Sequence, residues 1–310
     1  VDNFWELAKL VDANSKVILT SRREFFREDR DAESVLQGDE FGTFIDKLPA
    51  PKFDVVYQEP FNDKQIRDVI ARRIGTEKGL KTADRILAIP NLAELARKPV
   101  VLRYLLAALD EVGADVLEKP AQVYLYATNK LIFRNIESMR TFLEMNEILL
   151  FLCELAWEMI KNGEMRIHFR EFPAKIRKHF KVKDPELDYW ALDLRNQSLL
   201  HRDPEGNYEF AHKSIAEYFV AFKFTAELGC LASEFSNTYM EINNEHNEPC
   251  IIPYSQKDIS ELADTFGKLS LRTSRMRAVR QFMVGMMAED APGRLWRIID
   301  YTKGQPASDS

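Results

Sequence analysis

The run Asp203-Pro204-Glu205-Gly206-Asn207 lies between two short apolar segments, 198–202 and 208–211, and constrains the fold of this chain more than any other stretch. Proline and glycine stand where a tight turn uses them, so the pattern predicts a β-hairpin. What precedes it is helical. Apolar residues recur at three- and four-residue spacing over 121–141 and 144–162, then over shorter segments at 172–180 and 186–196. Helices that lead into a hairpin point to a winged helix.

Directly after the hairpin, Ser214 and Glu217 match a capping box, followed by Ile215, Tyr218, Phe219 and Phe222 at helical intervals. An aromatic stripe of this kind is expected to be core. Further upstream, Asn62 with Gln65 and Asn91 with Glu94 are two more capping-box candidates. The helix begun at Asn62 carries Ile66, Val69, Ile70 and Ile74 on one face. Pro99 cannot sit deep inside a helix, so one helix should end near Arg97 and the next should open with Pro99.

The N-terminal segment reads differently. Phe4, Leu7, Ala8 and Val11 have helical spacing, a polar turn follows at 12–15, and 16–20 is a short apolar run without polar alternation. Such a run suits a parallel strand covered on both faces, with polar Thr20, Ser21 and Arg22 at its C-terminal end, the edge where α/β sheets bind ligands. A second short strand is expected at 55–58. Past 231 the chain is a polar linker rich in Asn and Glu to about 254, then three helical patterns, with a disordered tail after 303.

The resulting expectation is a mostly α fold with a small remnant of a parallel α/β sheet, divided as follows. Residues 1–60 form the sheet remnant, 61–118 a helical domain, 119–230 the winged helix with its hairpin, and 231–310 a linker and the start of a C-terminal helical region.

Composition bears on function mainly by exclusion. The net charge is −6 and basic residues are scattered, so no whole-chain field favours nucleic acid or an anionic membrane. No run of about 18 apolar residues could span a bilayer. Three widely spaced cysteines and five scattered histidines form no zinc-type cluster. No Gly-x-Ser-x-Gly elbow or His-Glu-x-x-His helix is present, so no catalytic nucleophile or metal ligand is assigned. A soluble protein in a reducing, cytoplasmic setting is expected.

Three segments in this order, 16–27, 91–106 and 190–222, resemble NACHT ATPases of the STAND class, P-loop relatives of the nucleotide-gated immune receptors. Val17-Ile18-Leu19-Thr20-Ser21-Arg22 looks like that family's sensor-1 strand, which makes Arg22 the candidate γ-phosphate sensor. A permanent cation on a rigid strand end can give two parallel donors to phosphate. A structural salt bridge is the alternative role. Leu95-Ala96-Arg97-Lys98-Pro99-Val100-Val101-Leu102 resembles the helical-domain motif whose proline packs by the adenine, so Pro99 is the implied adenine contact. Phe210-Ala211-His212 and Glu217-Tyr218-Phe219-Val220-Ala221 are similar to the winged-helix signature, whose histidine contacts the β-phosphate of ADP. His212 is the implied latch of the closed state, with one ring nitrogen donating to phosphate and the other fixed by a backbone carbonyl. A core histidine satisfied locally is the other reading.

The resemblance covers about residues 1–228 and implies the later half of a NACHT module. None of the twelve glycines begins a Gly-x-x-x-x-Gly-Lys-Ser/Thr loop, and the acidic magnesium-binding segment should lie before Phe4. The chain begins at Val1 rather than methionine. The expectation is therefore a fragment whose intact parent uses ATP and ADP with magnesium and self-oligomerises on opening, while this chain neither hydrolyses ATP nor holds nucleotide tightly. Defence or stress signalling is the family analogy, with an upstream effector and an unknown trigger. A helical interaction scaffold is the first alternative. A DNA-binding winged helix is the second, opposed by Glu186, Asp188 and Asp193 on its would-be recognition helix.

Overall fold

A computed structural model of the chain describes residues 58–137, 143–197, 199–236, 254–258 and 276–288, together with 18, 56, 261, 262, 265 and 291. Arg22 and most of the expected strands at 16–20 and 55–58 lie outside the described residues, as do the helical pattern near Phe4, the last helical patterns and the tail. Ile18, Val56 and Gln58 are described, and none of them is in a strand.

The fold is mostly helical with one small antiparallel sheet. Helix α1 (Asp63–Ile74) starts on the capping box expected for it: Asn62 Oδ1 accepts from the Gln65 amide and Gln65 Oε1 accepts from the Asn62 amide, each at 2.9 Å. Gly75, at φ +92°, ends α1 and starts α2 (Thr76–Ala88), a backbone angle that L side chains rarely adopt.

Buried Gly79 lets the two helices touch. A Cβ placed there would stand 2.5 Å from the Ala71 Cα and 2.9 Å from its amide nitrogen. Gly79→Ala should therefore destabilise the fold by about 1–3 kcal/mol, although alanine is the better helix former by about 1 kcal/mol. Urea denaturation checks this. A stabilised variant would mean that the helices are not in contact.

Helix α3 (Pro90–Ala96) and helix α4 (Pro99–Val112) each have proline at the first turn, where its missing N–H costs nothing. The capping box expected at Asn91 does not form. The helix starts two residues earlier, its N-cap is Ile89, and Glu94 instead pairs with Arg97 at 3.2 Å. Arg97 also pairs with Asp63 at 3.0 Å, and the Phe61 amide donates to its carbonyl at 2.7 Å, tying the end of α3 to the start of α1.

Helix α5 (Pro120–Glu137) leads to the winged-helix unit. Its elements run α6 (Met145–Asn162), β1 (Ile167–His168), α7 (Phe172–His179), α8 (Asp184–Arg195), β2 (Leu200–Arg202) and β3 (Asn207–Phe210). This is the winged-helix order of helix, strand, two helices and hairpin. Asp203 organises the turn: its carboxylate accepts from the Asn207 amide at 2.7 Å and from the Asn207 side chain at 2.8 Å, while Gly206 takes φ +87°. Strand β3 is central, with Tyr208 opposite both Arg202 and Ile167. Strand β1 is not expected from sequence, because two residues are too few to show alternation.

Helix α9 (Lys213–Glu227) is buried along its whole length from Ser214 to Glu227, covered on all sides rather than on one aromatic stripe. It packs against α5, α6, β3 and helix α10 (Arg277–Met286). That last helix inserts Val279, Phe282, Met283 and Met286 into the same core. Backbone hydrogen bonds from Ala232 to Met286 and from Ala288 to Cys230, 2.9 and 3.0 Å long, fix its far end beside α9. Among the described residues no helix is long and apolar enough to cross a membrane.

Candidate functional site

The chain turns from β3 into α9 at His212, whose extended backbone (φ −154°, ψ 147°) leaves it outside the helix as the N-cap. The cap is thus His212 and not Ser214, because the hairpin delivers the chain two residues earlier than the capping-box pattern suggests. The imidazole Nδ1 accepts from the Ser214 amide at 3.2 Å and lies 2.5 Å from the Ser214 hydroxyl. That hydroxyl lies in turn 2.5 Å from the phenolic oxygen of Tyr124, buried in α5.

This chain of contacts fixes a tautomer. A backbone N–H can only donate, so Nδ1 must be an unprotonated acceptor. In the neutral ring the proton then resides on Nε2. The sequence-based expectation that a backbone carbonyl holds the second nitrogen is corrected here: a backbone amide and a hydroxyl hold it, and the polarity matters, because a carbonyl would take the neutral ring's one proton at that nitrogen whereas the amide leaves it on Nε2 as a donor. Burial pushes the His212 pKa below its ordinary value, Glu94 opposes this, and Lys98 and Lys213 reinforce it. A neutral ring is thus the favoured form at neutral pH. Burial likewise pushes the Tyr124 phenol up, keeping its proton in place.

His212 opens on a cleft of about 400 Å³. Its walls are Asn91 from α3, the first turn of α9 with Lys213, Ser214 and Glu217, and the first turns of α10 with Arg277, Ala278 and Gln281. Glu217 is buried, which raises its pKa, and Lys213 at 3.3 Å stabilises its charge. Those two charges offset one another. Among the described residues Arg277 has no ion-pair partner, so the cleft keeps one net positive charge beside a neutral donor. That combination suits an anion with several oxygens.

Of the residues singled out from sequence, His212 lines this cleft. Pro99 opens α4 and does not line it, although the charge of the preceding Lys98 acts on the His212 ring. Arg22 lies outside the described residues. Among the described residues no cluster of three metal-binding side chains occurs.

A second polar group escaped the sequence reading. Lys223, inside α9, bonds Glu154 of α6 and Glu227 one turn on (3.0 Å), with its ammonium 4.6 Å from the Tyr254 ring centre. Tyr254 donates to Glu154 at 3.1 Å and Lys257 pairs with Glu227 at 2.6 Å. The side chains of Lys223 and Glu227 are 8% and 2% exposed, so this is an interior network rather than a surface pair. Its signal in the sequence is a charge flanked by aromatics, Phe222-Lys223-Phe224.

No protein family model matches the chain. Over 335 aligned positions the chain is 35% identical to an uncharacterized WD repeat-containing protein of Nostoc sp., a similarity that covers 98% of this chain. The chain spans 21% of the length of that relative.

Proposed function

We propose that this chain is the later part of a NACHT-type STAND ATPase module and acts in a nucleotide-gated oligomerisation switch. The observation that carries the reading is the commitment of His212 Nδ1 to the Ser214 amide and hydroxyl, which leaves Nε2–H as a donor at a cleft with net positive charge. A diphosphate suits such a site, since its oxygens accept from both a neutral donor and a cation. On this reading ADP holds the closed form through His212, Pro99 adjoins the adenine and Arg22 reads the γ-phosphate of ATP. None of the residues named here is assigned to magnesium or to a phosphate loop. When bound, magnesium neutralises charge on the transferring phosphate, and the residues here only hold and sense the nucleotide.

The switch couples nucleotide exchange to exposure of self-association surfaces, and defence or stress signalling in the cytoplasm is the expected setting. WD repeats in a longer relative suit the sensing part of such a protein. The helical scaffold reading needs no polar cleft and leaves the His212 arrangement without a purpose beyond capping.

The reading is tested on the chain itself, by following the His212 ring signals in NMR spectra during titration with ADP and with adenosine. A saturable shift with ADP near millimolar concentration and none with adenosine is expected, because one donor and one cation supply roughly 4 kcal/mol. No response of His212 to ADP at about 10 mM, well above that range, overturns the gate.

A further inference from the structure

We propose that Arg277 is a second phosphate contact of the His212 cleft, so that the segment beyond the winged helix belongs to the nucleotide latch. The inference rests on the gate reading above and extends it to residues outside the NACHT-like match.

Three features support it. The first turns of α10 form one wall of the cleft, and the N-cap, Met276, makes no side-chain bond to the helix. The positive end of the α10 dipole favours negative charge at this wall. Arg277 itself has no ion pair among the described residues, whereas Lys213, the other cation of the cleft, is already held by Glu217. A neutral His212 supplies one donor but no charge, so binding a diphosphate requires a cation from elsewhere in the cleft.

The register between Arg277 and His212 is also fixed. Phe282, one and a half turns along α10, packs its ring 4.8 Å from that of Tyr124 and 5.8 Å from that of Tyr218. Tyr124 is the residue whose hydroxyl meets Ser214, the holder of His212. One buried aromatic thus positions both walls. A displacement of α10 moves Arg277 and loosens the support of His212 together, which gives the downstream chain a mechanical route to the nucleotide.

The test repeats the His212 titration with ADP, AMP and inorganic pyrophosphate on the wild-type chain and on Arg277→Gln and Arg277→Lys. Because Arg277 is exposed and has no ion pair among the described residues, the substitutions should leave thermal stability unchanged. The expected result is an approximately tenfold weaker response of R277Q to ADP and pyrophosphate, with R277K in between and the preference for ADP over AMP reduced. If the wild type responds and R277Q responds with the same affinity, Arg277 is not a contact and this inference fails, while the His212 response leaves the gate reading with Lys213 as the remaining cation of the cleft. If His212 of the wild type does not respond at all, the gate reading fails and this inference with it.

Discussion

Lys223→Met is expected to lower folding stability at neutral pH by about 3–5 kcal/mol, chiefly the cost of leaving part-buried Glu154 without its cation. The ammonium is held between Glu154 and Glu227, with side-chain exposures of 14% and 2%, so neither carboxylate can recover its hydration when the cation is gone. Burial alone would lower the Lys223 pKa, yet the charges of Glu154 and Glu227 outweigh it and raise the pKa. For Lys223 itself, the two carboxylates thus outweigh the effect of burial. Urea denaturation of K223M against wild type measures the loss.

The control is Lys223→Met with Glu154→Leu. It removes both members of one pair and leaves Glu227 to Lys257 at 2.6 Å, so most of the loss should be recovered. A cost below about 1 kcal/mol for K223M would show that the group behaves as a solvated surface pair. The network also fastens the chain segment 254–258, since the Lys257 amide donates to the Glu227 carbonyl at 2.6 Å. K223M should consequently expose that segment to faster amide exchange.

Local signals carried much of the fold. Asn62 with Gln65, Pro99 at a helix start and the 203–207 turn each act through neighbours within four residues, and each is found as expected. Where distant contacts decide, the reading shifts. Ser214 matches a capping pattern, but the direction in which β3 enters the helix makes His212 the cap, and the Ser214 hydroxyl is recruited to Tyr124, ninety positions away. The all-round burial of α9 depends on α10, which follows a long polar stretch, so sequence periodicity shows only a stripe. Arg277 has no motif at all. Its place opposite His212 follows from Phe282 reaching Tyr124, a contact that local spacing does not encode.

His212→Ala and His212→Asn should separate the two jobs of this side chain. Alanine removes the N-cap acceptor and should cost about 1 kcal/mol at pH 7, whereas asparagine, a good N-cap, should restore that stability. Neither has the Nε2–H donor, so both should lose the response to ADP, here read from the shifts of the neighbouring Lys213 and Ser214 amides. The pH dependence follows from the depressed His212 pKa. The unfolded state takes up a proton near pH 6.5 while the folded state resists, so the stability His212 contributes is full above that pH and is lost as the pH falls through the folded value. Protonated Nδ1 can no longer accept from the Ser214 amide. Asparagine does not titrate, so H212N should match the wild type at pH 7 and exceed it at pH 5, while H212A approaches the wild type from below. If H212N keeps both its stability and the full ADP response, the imidazole is a helix cap alone, and the donor at Nε2 holds no phosphate.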